Sequence, residues 1–139
     1  MHNSDNFIKK LRESGLRPTK QRLKICEVLF SSEKTFHFTV SDLTKIIEEK
    51  LSEKMSLATV YNTVHAFKKK GYLKEISIAN DKNYFDTNTT SHHHFFDIRE
   101  NTLIDIDSSQ IELKNIPTPP GGKSIKDIDV IINVENDSQ

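Results

Sequence analysis

Ser56-Leu57-Ala58-Thr59-Val60-Tyr61-Asn62-Thr63-Val64-His65-Ala66-Phe67-Lys68-Lys69-Lys70-Gly71 is the stretch on which the reading of the chain turns. At 100° per residue, Leu57, Val60, Val64 and Phe67 share one face of a helix. Ala58, Asn62, His65 and Lys69 share the opposite face, and Tyr61 lies on the flank between them. Ser56 can cap the start through its hydroxyl, and Gly71 can stop the end. A helix that packs on a core and enters a DNA major groove needs this division, with short, planar or basic groups on the outer side. An ordinary amphipathic helix has the same pattern, so the flanking sequence has to decide between the two.

Residues 4–14 read as a first short helix with Phe7, Ile8 and Leu11 inward and Gly15 as its stop. Pro18 biases Arg17 away from helix, and Thr19 can cap a second helix running to about Phe30, with Leu23, Cys26, Val28, Leu29 and Phe30 on its buried side. Thr39-Val40-Ser41-Asp42 is a capping box opening a third helix, with Leu43, Ile46, Ile47 and Leu51 inward. Ser56–Lys70 is the fourth. After Gly71 the period changes: residues 72–78 and 83–86 are strand-like, about a turn at Asn80-Asp81. Short helices followed by a hairpin predict a winged helix-turn-helix in which the third helix packs across the fourth and the fourth reads the groove. The candidate DNA-binding residues are Arg17, Thr59, Tyr61, Asn62, His65 and Lys69. Asn62 suits bidentate contact with adenine, Tyr61 the thymine methyl, and Arg17, on an extended arm, a narrow minor groove. Lys68, Lys69, Lys70, Lys74 and Lys82 would cluster around the wing and hold phosphates.

The 139 residues carry no net charge, yet the balance is uneven along the chain. Residues 1–80 hold 15 Lys and Arg against 9 Asp and Glu, a net +6; residues 81–139 hold 5 against 11, a net −6. The basic half is the one suited to a polyanion. No apolar run approaches the ~20 residues needed to span a bilayer. Met1–Asp5 has neither the basic start nor the apolar core of a signal peptide, so a cytoplasmic protein is expected. The single cysteine, Cys26, rules out an internal disulfide and reads as a buried structural thiol.

The fold class expected is α+β: an N-terminal winged helix-turn-helix DNA-binding domain over 1–87, a hinge over 88–91, a small α/β dimerisation domain over 92–134 and a disordered tail over 135–139. In the second domain, residues 95–98 and 103–106 read as strands about a turn at Arg99–Thr102, 108–115 as a short helix at best, and 125–134 as a final strand. So small a unit rarely buries enough surface alone, and its exposed edges with Ile131, Ile132 and Val134 predict a homodimer.

Four of the six histidines, His37, His92, His93 and His94, are candidate metal ligands. His92 and His94 point the same way from an extended segment; His37 before the third helix and the carboxylate of Asp86 would complete a four-coordinate N/O set for zinc, ferrous iron or manganese. His93 and Glu112 are candidates for a second metal site. Read alone, three adjacent histidines are equally a solvated polar run.

Together these residues resemble the ferric uptake regulator family over about residues 7–134. The resemblance rests on Arg17-Pro18-Thr19-Lys20-Gln21-Arg22, His37-Phe38-Thr39-Val40-Ser41-Asp42-Leu43, Ser56-Leu57-Ala58-Thr59-Val60-Tyr61 and His92-His93-His94. It implies base contact by Tyr61, minor-groove contact by Arg17 and a regulatory metal site at His37, Asp86, His92 and His94. There are departures. Asn62 stands where the family usually has Arg, and Asp86 where it more often has Glu. Both Cys-x-x-Cys pairs of the family's structural zinc are missing, so no four-cysteine zinc is expected. In the family's other hinge site Glu112 and His93 match, while Ser91 and Ile128 replace histidines. The missing cysteines, Tyr61-Asn62-Thr63, the histidine run followed by Phe95-Phe96 and the Pro117–Gly121 linker resemble the iron response regulator branch, which implies haem sensing, with His92, His93 and His94 as the haem ligands. The function expected is thus an iron- or haem-responsive regulator binding an inverted repeat as a homodimer. The alternatives are a metal-responsive repressor without haem, a DNA-binding module that senses nothing, and a small metal-dependent hydrolase using the same histidines.

Overall fold

The computed structural model describes residues 2–78 and 82–138, and the chain divides into two compact units between Thr89 and Thr90. The first unit runs α1 (His2–Glu13), α2 (Lys20–Phe30), β1 (His37–Phe38), α3 (Val40–Leu51), α4 (Leu57–Lys70), β2 (Lys74–Ile78) and β3 (Lys82–Asp86). From α2 onward, each helix begins where the sequence supplies a cap. The Thr19 hydroxyl accepts from the Arg22 N–H at 3.3 Å. At α3 the capping box is complete: the Thr39 hydroxyl accepts from the Asp42 N–H at 3.0 Å, and the Asp42 carboxylate from the Thr39 N–H at 3.3 Å. Ser56 accepts from the Thr59 N–H at 3.1 Å, and α4 ends on Gly71 at φ +94°, whose N–H returns to the Phe67 carbonyl at 3.0 Å.

The helices enclose one apolar core, whose fully covered side chains include Leu11, Ile25, Leu29, Leu43, Ile47, Val60, Val64 and Phe67. Two expectations are corrected here. Ile25 rather than Leu23 leads the buried side of α2, with Leu23, Val28 and Phe30 only half-buried. Leu57 is 57% exposed, because the first turn of α4 projects past the core and Thr63 takes the inward place. The Thr63 hydroxyl is satisfied there by donating to the Thr59 carbonyl at 2.8 Å.

The strands of this unit form an antiparallel sheet in the order β1-β3-β2. The hairpin pairs Lys74 with Asp86 and Ile78 with Lys82; the expected turn at Asn80-Asp81, like the Lys82 side chain, lies outside the described residues. β1 was not expected from the sequence. Its two residues pair His37 with Asp86 and Phe38 with Phe85.

The second unit is a sheet in the order β5-β4-β6, made of β4 (His93–Asp97), β5 (Thr102–Ile106) and β6 (Ile131–Val134), with a 3-10 turn at Ser108–Gln110. β4 and β5 form a hairpin whose turn is held by Asp97, which accepts from the Arg99 and Glu100 N–H groups at 3.0 Å each. β4 starts two residues earlier than expected, so His93 and His94 are strand residues. β6 runs parallel to β4 and is shorter than the expected 125–134, since it lasts only where His94–Asp97 offers a partner. No described helix is long and apolar enough to cross a membrane.

Candidate functional site

On the first unit, α4 turns Val60, Thr63, Val64 and Phe67 into the core and leaves Tyr61, Asn62 and Lys69 exposed. Tyr61 is 51% exposed. Beside it Val40, Ser41, Leu57 and Ala58 line an almost wholly apolar hollow that the Tyr61 ring closes on one side. The His65 imidazole lies against the Tyr61 ring, 4.1 Å between centroids at 33°, and meets Phe85 edge-on at 5.4 Å and 77°.

Arg17 and Thr59 come together at the start of α2, where they line a second depression with Thr19, Lys20, Gln21 and Arg22. The Arg22 guanidinium donates to the Arg17 carbonyl at 3.0 Å, which fixes the backbone of the arm that carries Arg17. Two shallow hollows, one apolar and one basic, therefore open beside one solvent-facing helix side. Of the wing lysines, Lys68 is tied to Glu75 at 2.7 Å, which leaves Lys69 and Lys70 better placed for a polyanion.

The metal-ligating side chains fall into two sets, one per unit. In the first, the β1–β3 pairing sets His37 across from Asp86, with His37 Nε2 3.2 Å from Asp86 Oδ2. Asp86 is 1% exposed, and its other oxygen accepts from the Asn88 N–H at 2.8 Å. A buried carboxylate facing an imidazole suits a cation between them. In the second unit, His94 and Asp105 are opposite one another across β4 and β5. Asp105 Oδ1 is 3.4 Å from His92 Nε2 and 3.3 Å from His94 Nε2. His92 Nδ1 lies 2.7 Å from the Thr90 carbonyl, which can only accept. With Nδ1 engaged by that carbonyl, Nε2, which faces Asp105, is the nitrogen His92 could offer a metal.

His93 is placed differently. It is buried, and its Nδ1 accepts from the Val130 N–H at 3.1 Å. Glu112 is exposed beside Lys114 at 3.4 Å. Neither joins a group of three or more ligand-bearing side chains among the described residues.

The ferric uptake regulator family model matches residues 13–132. The chain belongs to that family. Among curated ferric uptake regulator relatives it is 37% identical over 93 residues to the peroxide operon regulator of Bacillus subtilis, covering 67% of this chain and 62% of that protein. It is 31% identical over 111 residues to the peroxide-responsive repressor PerR of Staphylococcus epidermidis, covering 80% of this chain and 72% of that one. These relatives are named for regulation and repression rather than catalysis. Among solved structures, the ferric uptake regulator of Pseudomonas aeruginosa with manganese superposes with a TM-score of 0.68 at 22% identity, covering 95% and 98% of the two chains. That of Vibrio cholerae gives 0.67 at 21%, covering 93% and 98%. Both share the α+β fold described above.

Asp105 is the ligand candidate that sequence reasoning missed. Its signal was present: a hairpin turning at Arg99–Thr102 sets Leu103-Ile104-Asp105-Ile106 against the histidine strand, so an acid must fall opposite an imidazole once the register is fixed.

Proposed function

We propose that this ferric uptake regulator family member is a cytoplasmic, divalent-metal-responsive transcriptional regulator that binds an inverted-repeat operator as a homodimer. The observation that carries the DNA-binding half is α4: a helix with one side locked in the core and Tyr61 and Asn62 held out on the other. Tyr61 with Leu57 and Ala58 would receive thymine methyls, and Asn62 would pair with adenine. Arg17 would enter the minor groove beside Thr59, and Lys69 would hold phosphate.

The residues proposed to hold a divalent ion are His37 and Asp86 in the first unit and His92 and His94 in the second, with Asp105 as a further donor beside those two imidazoles. Supporting it are two imidazole nitrogens paired with a carboxylate in the second unit and a buried imidazole–carboxylate pair in the first. The ion would supply a fixed positive charge that neutralises these carboxylates and orders the strands bearing them. His93 is left out, since its Nδ1 is committed to the Val130 N–H. The relatives' names extend the proposal to peroxide: the chain would release DNA when peroxide is present. Cys26 is a poor thiol sensor for that purpose, because burial pushes its pKa up to about 12.

Haem on the histidine run is the second reading, motivated by three consecutive imidazoles. Against it, His92, His93 and His94 are each at most 5% exposed, whereas an axial ligand must face a space wide enough for the macrocycle. The test is operator binding by this chain, on a duplex selected from random sequence, with EDTA, Mn2+, Zn2+, Fe2+ or haem. Tighter binding with a divalent ion, lost in His92→Ala/His94→Ala, supports the metal reading. A haem absorption spectrum that disappears in the same variant, with no effect of bare ions, replaces it by the haem reading. Tyr61→Ala should weaken specific binding by about 1–3 kcal/mol; an unchanged footprint refutes the reading face.

A further inference from the structure

We propose that His65 is a positioning residue for base reading: its imidazole, braced on Phe85, holds the Tyr61 ring in the orientation that meets the groove. The inference rests on the reading of α4 given above and concerns how that helix is prepared for DNA.

Tyr61 is about half exposed, and a side chain so placed on a helix ordinarily samples several rotamers. Here one ring restrains it. His65 stands four residues on, the spacing at which helical side chains meet, and its ring centroid is 4.1 Å away at 33°. His65 is itself only half-buried, and its support comes from another element. Phe85 on β3 meets it edge-on at 5.4 Å and 77°. Phe85 is 1% exposed and is stacked in turn on Phe38 of β1, 5.9 Å between centroids at 28°. The exposed ring is thus connected by two aromatic contacts to a side chain that the core does not allow to move. An imidazole suits the place, flat enough to lie on the phenol ring while its edge meets Phe85. In Ala or Ser the brace would vanish, and binding DNA would have to freeze the Tyr61 rotamer afresh.

Direct base contact by His65 predicts different results, so the two can be separated. The first measurement needs no DNA. The chain has three tyrosines, Tyr61, Tyr72 and Tyr84, and 3-fluorotyrosine labelling gives each a 19F resonance, with Tyr61 assigned by Tyr61→Phe. In the unsubstituted chain the Tyr61 signal should be displaced by the imidazole ring current. His65→Ala should move it toward the free amino acid, and His65→Phe should keep it displaced.

The second measurement is operator affinity by fluorescence anisotropy in Mn2+, well below each variant's melting midpoint. His65→Ala should weaken binding about tenfold, ~1.4 kcal/mol, and His65→Phe, which keeps the stack and removes both ring nitrogens, should restore most of it. In a Tyr61→Ala background His65→Ala should cost nothing more, the signature of action through the tyrosine. A Tyr61 resonance that ignores His65→Ala overturns the proposal. So does a tenfold loss that persists without Tyr61, which would make His65 a DNA contact in its own right. If Tyr61→Ala binds as well as the unsubstituted chain, the groove-reading role fails and this inference with it. A resonance that still moves would then locate the failure in DNA reading and not in the stack.

Discussion

At the scale of single residues, Cys26 is defined by what its surroundings withhold. It is fully covered by the first unit's core, and desolvation of the thiolate raises its pKa from 9.0 to about 12, with Lys10 opposing. At pH 8 roughly one thiol in ten thousand is then ionised. Native protein should therefore not react with a disulfide reagent such as DTNB until it unfolds, and Cys26→Ser should keep any peroxide response; rapid native labelling would show that the core opens. The same shift fixes a sign for stability. The unfolded chain releases this proton first, so the stabilisation is complete below about pH 9 and declines as pH rises toward 12. Tyr84 acts in the same direction, its pKa raised by burial and by the charge of Asp42. Urea midpoints should accordingly fall above pH 9, and Cys26→Ala should make that fall shallower.

At the scale of elements, what the sequence makes legible is local. Caps are written in the residues beside them, so Thr19, Thr39, Ser56 and Gly71 bound α2, α3 and α4 where expected. Gly71 sits at φ +94° with open space around a hypothetical Cβ, so Gly71→Ala tests conformation without a clash. It should cost about 1–2 kcal/mol and lower the melting midpoint by about 4–8 °C per kcal/mol; an unchanged midpoint would mean that the left-handed stop is dispensable. Register, by contrast, depends on a partner elsewhere in the chain. β1 is two residues long and exists only because β3 pairs with it, so the His37–Asp86 alignment carries no periodic signal of its own. For the same reason the sequence does not mark Asp105 as facing an imidazole, and the last strand is shorter than its β-prone run, since it can extend no further than β4 allows. His93 shows the limit most clearly. One run of three imidazoles splits into two that face Asp105 and one that accepts a backbone N–H from Val130. His93→Ala would leave that N–H without its acceptor, at about 1–3 kcal/mol. It should destabilise the second unit while leaving the number of ions bound unchanged, whereas His94→Ala should reduce it; equal losses of metal from both would return His93 to the ligand set.

At the scale of the whole molecule, the second unit is three strands and a 3-10 turn over about fifty residues, too little to bury a full core of its own. Its strand register lines up Ile104, Phe95 and Ile132 as neighbours across β5, β4 and β6. Ile104 is 50% exposed and Ile132 39%, so two branched apolar side chains flank the half-buried Phe95 on one sheet face. A twofold axis over such a face pairs each row with its own copy, an economical way to cover it in a symmetric dimer. In the proposed regulator, the net −6 of residues 81–139 would disfavour DNA at that surface, while the +6 of residues 1–80 would draw the polyanion to the helices. Ile104→Lys with Ile132→Lys places like charges on both sides of the proposed seam. Sedimentation should then show a monomer where the unsubstituted chain is expected to give a dimer. Operator affinity should drop by roughly 10²–10⁴, the avidity lost when two linked half-site contacts become one, with α4 intact by circular dichroism. A double variant that stays dimeric would move the interface off this sheet face. A monomer that keeps full operator affinity would show that one reading helix suffices.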